Sequence, residues 1–183
     1  IFTILALTIV FNVNAQFWFQ GTFPTAIQTA NATASADYST AMGRGTWASA
    51  DYSTAMGLFT TASGTSSTAM GGETTASGDY STAMGYDTEA SAYDSTTMGA
   101  FTTASGSQST AMGYETTASG ESSTAMGWLT VASGIVSTVM GFDTTASGST
   151  STAMGYETTA SDYGSLVIGQ YNSSGSSVTA NAT

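Results

Sequence analysis

The sequence has no cysteine, no histidine and no lysine, and Arg44 is its one cation against twelve carboxylates. Without cysteine there is no disulfide and no thiolate metal site, so cohesion has to come from packing and hydrogen bonding. Without histidine, cysteine or lysine the usual nucleophile–base pairs are absent, and only carboxylates remain for acid–base work. The chain therefore reads as a non-enzyme with no cofactor. A formal net charge of −11 argues against nucleic acid or an anionic membrane surface as partner. The one long apolar stretch, residues 1–11, falls short of the roughly 20 residues a bilayer span needs, so no span is expected in the mature chain.

That stretch fits the core of a signal peptide, and Val13-Asn14-Ala15 fits the small-residue cleavage rule. Residues 1–15 are expected to be removed, with 16–31 as an N-terminal lead-in. The alternative is an apolar segment that is kept and docks into a neighbouring subunit. Ile1 opens the sequence without an initiator methionine or a basic segment, so the true start is expected to be missing. Gly, Ser, Thr and Ala dominate the rest. Such a composition can mean disorder, but disordered chains are poor in aromatic and β-branched residues. Here aromatics make up 11% and threonine is abundant, which favours ordered β structure.

The dominant feature is an internal repeat. Ser39-Thr-Ala-Met-Gly43 recurs with its serine at 39, 53, 67, 81, 95, 109, 123, 137, 151 and 165, always 14 residues apart. Between these copies runs a second half-repeat, Thr60-Thr-Ala-Ser-Gly64, after a degenerate first copy at Ala32-Thr-Ala-Ser-Ala36. Each half has strand-like alternation and is followed by a two-residue connector. Frequent glycine, abundant Ser and Thr, and the lack of a 3.6-residue apolar stripe exclude helix. The expectation is an all-β fold, a parallel β-solenoid or β-roll of about ten 14-residue coils over residues 32–169, with two short strands per coil and a polar tail at 170–183. Stacked at about 4.8 Å, ten coils would be about 48 Å long. An array without insertions is what stacking between neighbouring coils demands.

Size decides which face is inside. So short a coil encloses little volume, which suits Ser, Ala and Gly of the first half and the leading Thr, Ala and Gly of the second. The position after that leading Thr accepts Trp47, Glu89 and Val131, so it faces outward. Thr40 and Met42, with their copies, are then also outside. Met42, Met56, Met70, Met84, Met98, Met112, Met126, Met140, Met154 and finally Ile168 would form one apolar ridge. Exposed, such a ridge is an aggregation liability, and burying one such side chain is worth about 1.5–3 kcal/mol. The ridge therefore calls for a partner, most simply the same ridge on other copies around a symmetry axis. The alternative turns the methionines into a wider coil.

The connectors carry the remaining candidates. Acids sit at Asp37, Asp51, Asp79, Asp94 and Glu121 on one edge, and at Glu73, Asp87, Glu115, Asp143 and Glu157 on the other. Stacked carboxylates could hold Ca²⁺, but Thr65, Ser107 and Ile135 interrupt them, and the simpler reading is solvated charge that keeps a β edge soluble. Aromatics accompany the second set at Tyr86, Phe101, Tyr114, Trp128, Phe142 and Tyr156. The simpler reading is that they cover the solenoid edge and pack on a neighbouring chain. The alternative is a ligand-facing edge for a glycan or a host or matrix protein. Thr61/Ser63 and their copies make an outer hydroxyl grid of the kind ice-binding solenoids use, interrupted here at Trp47, Glu89 and Val131. Asn31, Asn172 and Asn181 begin glycosylation triplets that arise readily by chance in so Ser/Thr-rich a chain.

These motifs resemble the YadA-like head repeat of trimeric autotransporter adhesins, a left-handed parallel β-roll with an S-x-A-x-G alternation. Ser165-Leu-Val-Ile-Gly169 carries that alternation, and Ser39-Thr-Ala-Met-Gly43 carries it with Thr and Met at the x positions. The resemblance implies three chains packed side by side with Thr40, Met42 and their copies at the trimer axis. It also implies a secreted or bacterial surface protein with an adhesive or structural role. No heptad stalk or barrel segment follows in residues 170–183, so the sequence is expected to be a fragment or a free filament subunit. A self-polymerising extracellular filament and an ice-binding solenoid are the alternative functions.

Overall fold

A computed structural model describes residues 19–20 and 26–174. The expected signal segment 1–15, part of the lead-in and residues 175–183 lie outside the described residues. What is described is a two-sheet parallel β-solenoid with no helix among the described residues.

One sheet has 12 strands. Ile27–Gln28 starts its parallel run, and the five-residue strands Thr40–Arg44, Thr54–Leu58 and their copies continue it up to Leu166–Gln170. Phe19–Gln20 pairs antiparallel with Ile27–Gln28 at one end. The other sheet has 10 strands, from Ala32–Ala34 to Thr159–Ala160. Register is strict: Thr82 lies beside Thr96, Met84 beside Met98 and Gly85 beside Gly99, a shift of one repeat at every rung. Strict register asks for equal coil lengths, since an extra residue inside a strand would turn that rung's following side chains to the opposite face.

The lumen is filled by two alanine columns flanked by hydroxyl columns. Ala41, Ala55, Ala69 and their copies are fully buried, as are Ala48, Ala62 and Ala76. Ser39, Ser53 and Thr46, Thr60 with their copies are equally enclosed. Val139 and Thr97 replace alanine in the first column and remain fully buried, so that column has room for one branched side chain. Many of the enclosed hydroxyls, Thr60, Thr74, Thr116 and Ser123 among them, have no hydrogen-bond partner. Equivalent hydroxyls recur at the strand spacing of about 4.8 Å, which exceeds hydrogen-bond reach.

Two expectations are corrected in detail. The second half-repeat is not a five-residue strand; it pairs over two residues, such as Thr61–Ala62. Both Ser63 and Gly64 donate to the carbonyl of Ala76, at 2.9 and 3.3 Å, and this doubled bond turns the chain out of the ladder. The glycine of Ser-Thr-Ala-Met-Gly does not face the lumen either. Gly43 and almost all its copies are exposed, with φ between 122° and 134°. A Cβ on Gly43 would run into the carbonyl oxygen of Gly57 on the next rung. This column is glycine because backbone stacks directly on backbone there, not because the lumen is narrow.

Both corners of every coil contain a left-handed residue, and eighteen of these are not glycine. Their amides explain why the conformation is held. Phe59 donates to the carbonyl of Arg44 at 2.9 Å and Tyr52 to that of Asp37 at 2.9 Å, so each corner is bonded to the coil before it.

Candidate interaction surfaces

The first surface is the outer face of the long strands. In-register stacking sets Met42 beside Met56 and continues to Met154 beside Ile168. These side chains point away from the lumen and are half-buried by their neighbours along the ladder. Met98 is the most exposed methionine at 37%, and Ile168, on the last strand of its sheet, is exposed at 58%. Thr40, Thr54 and their copies run parallel to the ridge, with Leu166 at its end. No charged residue occupies either column, so this face is apolar and hydroxylic along its whole length.

The second surface is the corner after Gly43 and its copies. The rings of Tyr86, Phe101, Tyr114, Trp128, Phe142 and Tyr156 form one continuous ladder, with centroid separations of 5.6, 5.5, 4.7, 6.2 and 5.0 Å. Tyr171 extends it at 5.4 Å from Tyr156, a member that the sequence reading missed. The signal was present: Phe101 follows Tyr86 by 15 residues rather than 14, and Tyr171 follows Tyr156 in the same way. In both cases a ring at the left-handed corner position replaces one lacking at the preceding position, where Ala100 and Gln170 stand. Arg44 uses that geometry as well, its guanidinium lying 5.8 Å from the centre of the Phe59 ring. Beside Phe59, Gly45, Trp47 and Thr61 line a shallow open depression.

Carboxylates accompany the rings. Asp87, Glu115, Asp143 and Glu157 take the left-handed position next to Tyr86, Tyr114, Phe142 and Tyr156. The Tyr86 hydroxyl donates to Glu73 at 3.3 Å. The nearby charge of Glu73, and then this hydrogen bond, raise the Tyr86 phenol above its ordinary range. Hydrogen bonding to Glu115 raises Tyr114, and hydrogen bonding to Glu157 followed by its charge raises Tyr156. No group of three or more His, Cys, Asp or Glu side chains that could hold a metal ion occurs among the described residues.

The opposite corner is less regular. Tyr38 and Tyr52 stack nearly parallel at 5.0 Å, and Tyr80 meets Tyr93 edge-on at 5.5 Å. Asp51 and Asp79 each accept a backbone amide from the preceding coil, those of Asp37 at 3.1 Å and Thr65 at 2.8 Å. These two carboxylates are corner ties. On the hydroxyl face of the short strands, Trp47 is 60% exposed and Glu89 is also exposed.

The profile of the YadA head domain repeat matches eight segments, namely 30–46, 34–60, 62–88, 90–116, 104–130, 118–144, 132–157 and 146–172. The chain belongs to the YadA head domain repeat family. The match extends over both surfaces, from the first methionine rungs to the end of the aromatic ladder. YadA head repeats are an adhesin-type, surface-exposed structural element, which suits a solenoid whose distinctive chemistry is all on its outside. No curated protein matches the chain.

Proposed function

We propose that this YadA head repeat is a non-catalytic adhesive module of an extracellular surface, assembled as a trimer around the methionine ridge and open to ligand along the aromatic edge Tyr86–Tyr156. The observation that carries this is the ridge itself. Met42 to Met154 and Ile168 form an in-register column with no charge on it or on the threonine column that runs along it, on the outside of a chain whose net charge is −11. Copies of so acidic a chain repel one another, and the uncharged face is where they can meet at least electrostatic cost. Burying partly exposed methionines against their counterparts gains part of the roughly 1.5–3 kcal/mol of a fully buried side chain, repeated at each rung. Thr40 and Met42 with their copies line the axis in this reading.

Sedimentation or light scattering at micromolar concentration tests it. A mass of three chains is expected, falling to one for the combined substitutions Met84→Glu, Met112→Glu and Met140→Glu, with the β-type circular dichroism kept. A wild-type protein that stays monomeric would overturn the reading. The last strand, Leu166–Gln170, has no partner on its outer side among the described residues, and Leu166 is 65% exposed. Long uniform fibres in negative stain would therefore replace the discrete trimer with an end-to-end filament. The hydroxyl grid gives an ice-binding reading no comparable support, because Trp47 and Glu89 break its plane.

A further inference from the structure

The two surfaces differ in charge, and that difference assigns them different occupants. The aromatic edge presents seven rings over six rung steps, about 29 Å at the strand spacing. Tyr86 is 48% exposed, Trp128 50% and Tyr171 65%. Asp87, Glu115 and Asp143 recur every second rung along it, about 10 Å apart, and all three are exposed. A second copy of this chain is a poor cover for that edge, since it brings only Arg44 to set against the carboxylates. A neutral apolar partner would bury them unpaired, which is costly. The chain already shows what does fit. Its one cation stands on this same edge, three rungs before Tyr86, with its guanidinium over the ring of Phe59.

We propose that the edge from Tyr86 to Tyr171 binds a cationic polypeptide segment, with arginine or lysine groups seated over the exposed rings and neutralised by Asp87, Glu115, Asp143 and Glu157. Cation–π attraction at exposed rings is modest singly, and a ladder with flanking carboxylates repeats it rung by rung. Cations about 10 Å apart match the alternate-rung spacing of Asp87, Glu115 and Asp143, and a polyproline II segment with arginine at every third residue sets them on one face about 9.3 Å apart. The inference rests on the adhesive-module reading and names the ligand class for its open edge.

The test uses the full chain in its native oligomeric state, with mass measured in the same sample so that failure of the trimer and failure of the edge are read separately. The probe is a synthetic peptide with arginine at every third position, set against its citrulline counterpart of equal shape and no charge. Binding of the arginine peptide is expected to exceed that of the citrulline peptide by about ten-fold, and to weaken as salt rises from about 50 to about 500 mM. The double variant Tyr114→Leu/Trp128→Leu is expected to lose about five- to ten-fold in affinity at unchanged mass. Glu115→Gln/Asp143→Asn is expected to lose a similar factor and decides the matter if the ring variant does not fold. Tyr38→Leu/Tyr52→Leu on the opposite edge is the control and should bind as wild type. No binding, equal binding of the citrulline peptide, full affinity in the Tyr114/Trp128 variant, or an equal loss in the opposite-edge control would each refute the proposal.

Discussion

Replacing one glycine with alanine should have very different consequences at Gly113 and Gly106, seven residues apart in the same coil. Gly113 has φ +127°, and an added Cβ there meets only backbone of the next rung: the carbonyl oxygen of Gly127, its carbon at 2.9 Å and its nitrogen at 3.1 Å. Backbone cannot swing aside, so strands Thr110–Tyr114 and Thr124–Trp128 would have to part. The conformation alone costs alanine about 1–3 kcal/mol. Each weakened ladder bond adds about 0.5–1.5 kcal/mol. Together a loss of about 3–6 kcal/mol is expected for Gly113→Ala.

Gly106 also faces backbone, that of Gly120, but its φ is not left-handed, and its column already holds Ala36, Ala50 and Ala92. Where alanine stands, the amide changes partner. Ala36 and Ala50 donate to the Ser39 and Ser53 hydroxyls at 3.3 Å, whereas Gly64 and Gly78 donate to the next coil's carbonyl. Gly106→Ala needs a local backbone shift away from Gly120 of the kind its alanine copies accommodate, without the left-handed strain, and should cost about 1–2 kcal/mol. Denaturant unfolding at fixed protein concentration measures both variants. Hydrogen exchange should show faster opening over residues 110–128 in Gly113→Ala only, because a stacked array fails locally. If the two variants come out within about 1 kcal/mol of each other, the account of the exposed glycine column is wrong.

Three further outcomes are expected at particular residues. Thr116→Val removes an enclosed hydroxyl that has no partner, in a lumen that already accepts Val139, and should stabilise by about 1 kcal/mol in the same unfolding assay. Val136 is a β-branched, 53%-exposed residue held at φ 56°, so Val136→Asn should raise the melting temperature by relieving about 1 kcal/mol of strain. Tyr86, Tyr114 and Tyr156 have phenols raised by their neighbouring acids, so folding favours their protonated form. Their contribution is complete below the ordinary phenol range and is lost as pH rises through the raised values. Melting temperature should fall over that alkaline interval, alongside phenolate absorbance, and less so in Glu73→Gln/Glu115→Gln/Glu157→Gln.

Much of the fold was legible because a 14-residue period without insertions permits few solutions. Small residues at alternate positions said which side was cramped, and Trp47 and Glu89 said which side was open. Less of the surfaces was legible. The methionine column could be placed outside from size alone, but its partial shelter by neighbouring rungs belongs to the folded ladder. The aromatic edge was readable ring by ring, while its continuity depended on Phe101 and Tyr171 reaching in from the second corner position. A search at a spacing of 14 passes over partners that stand 15 apart.

By itself, the sequence determined the period, the strand character, the enclosed serine, threonine and alanine columns and the uncharged ridge, because each comes from side-chain size and charge repeated at one fixed interval. Only the tertiary structure decided that Gly43 and its copies are outside, that the second strand closes after two residues, and that rings from two corner positions join in one ladder. Those outcomes depend on where the backbone of one coil lies against the next, and a distance between rungs is not a property of any single repeat.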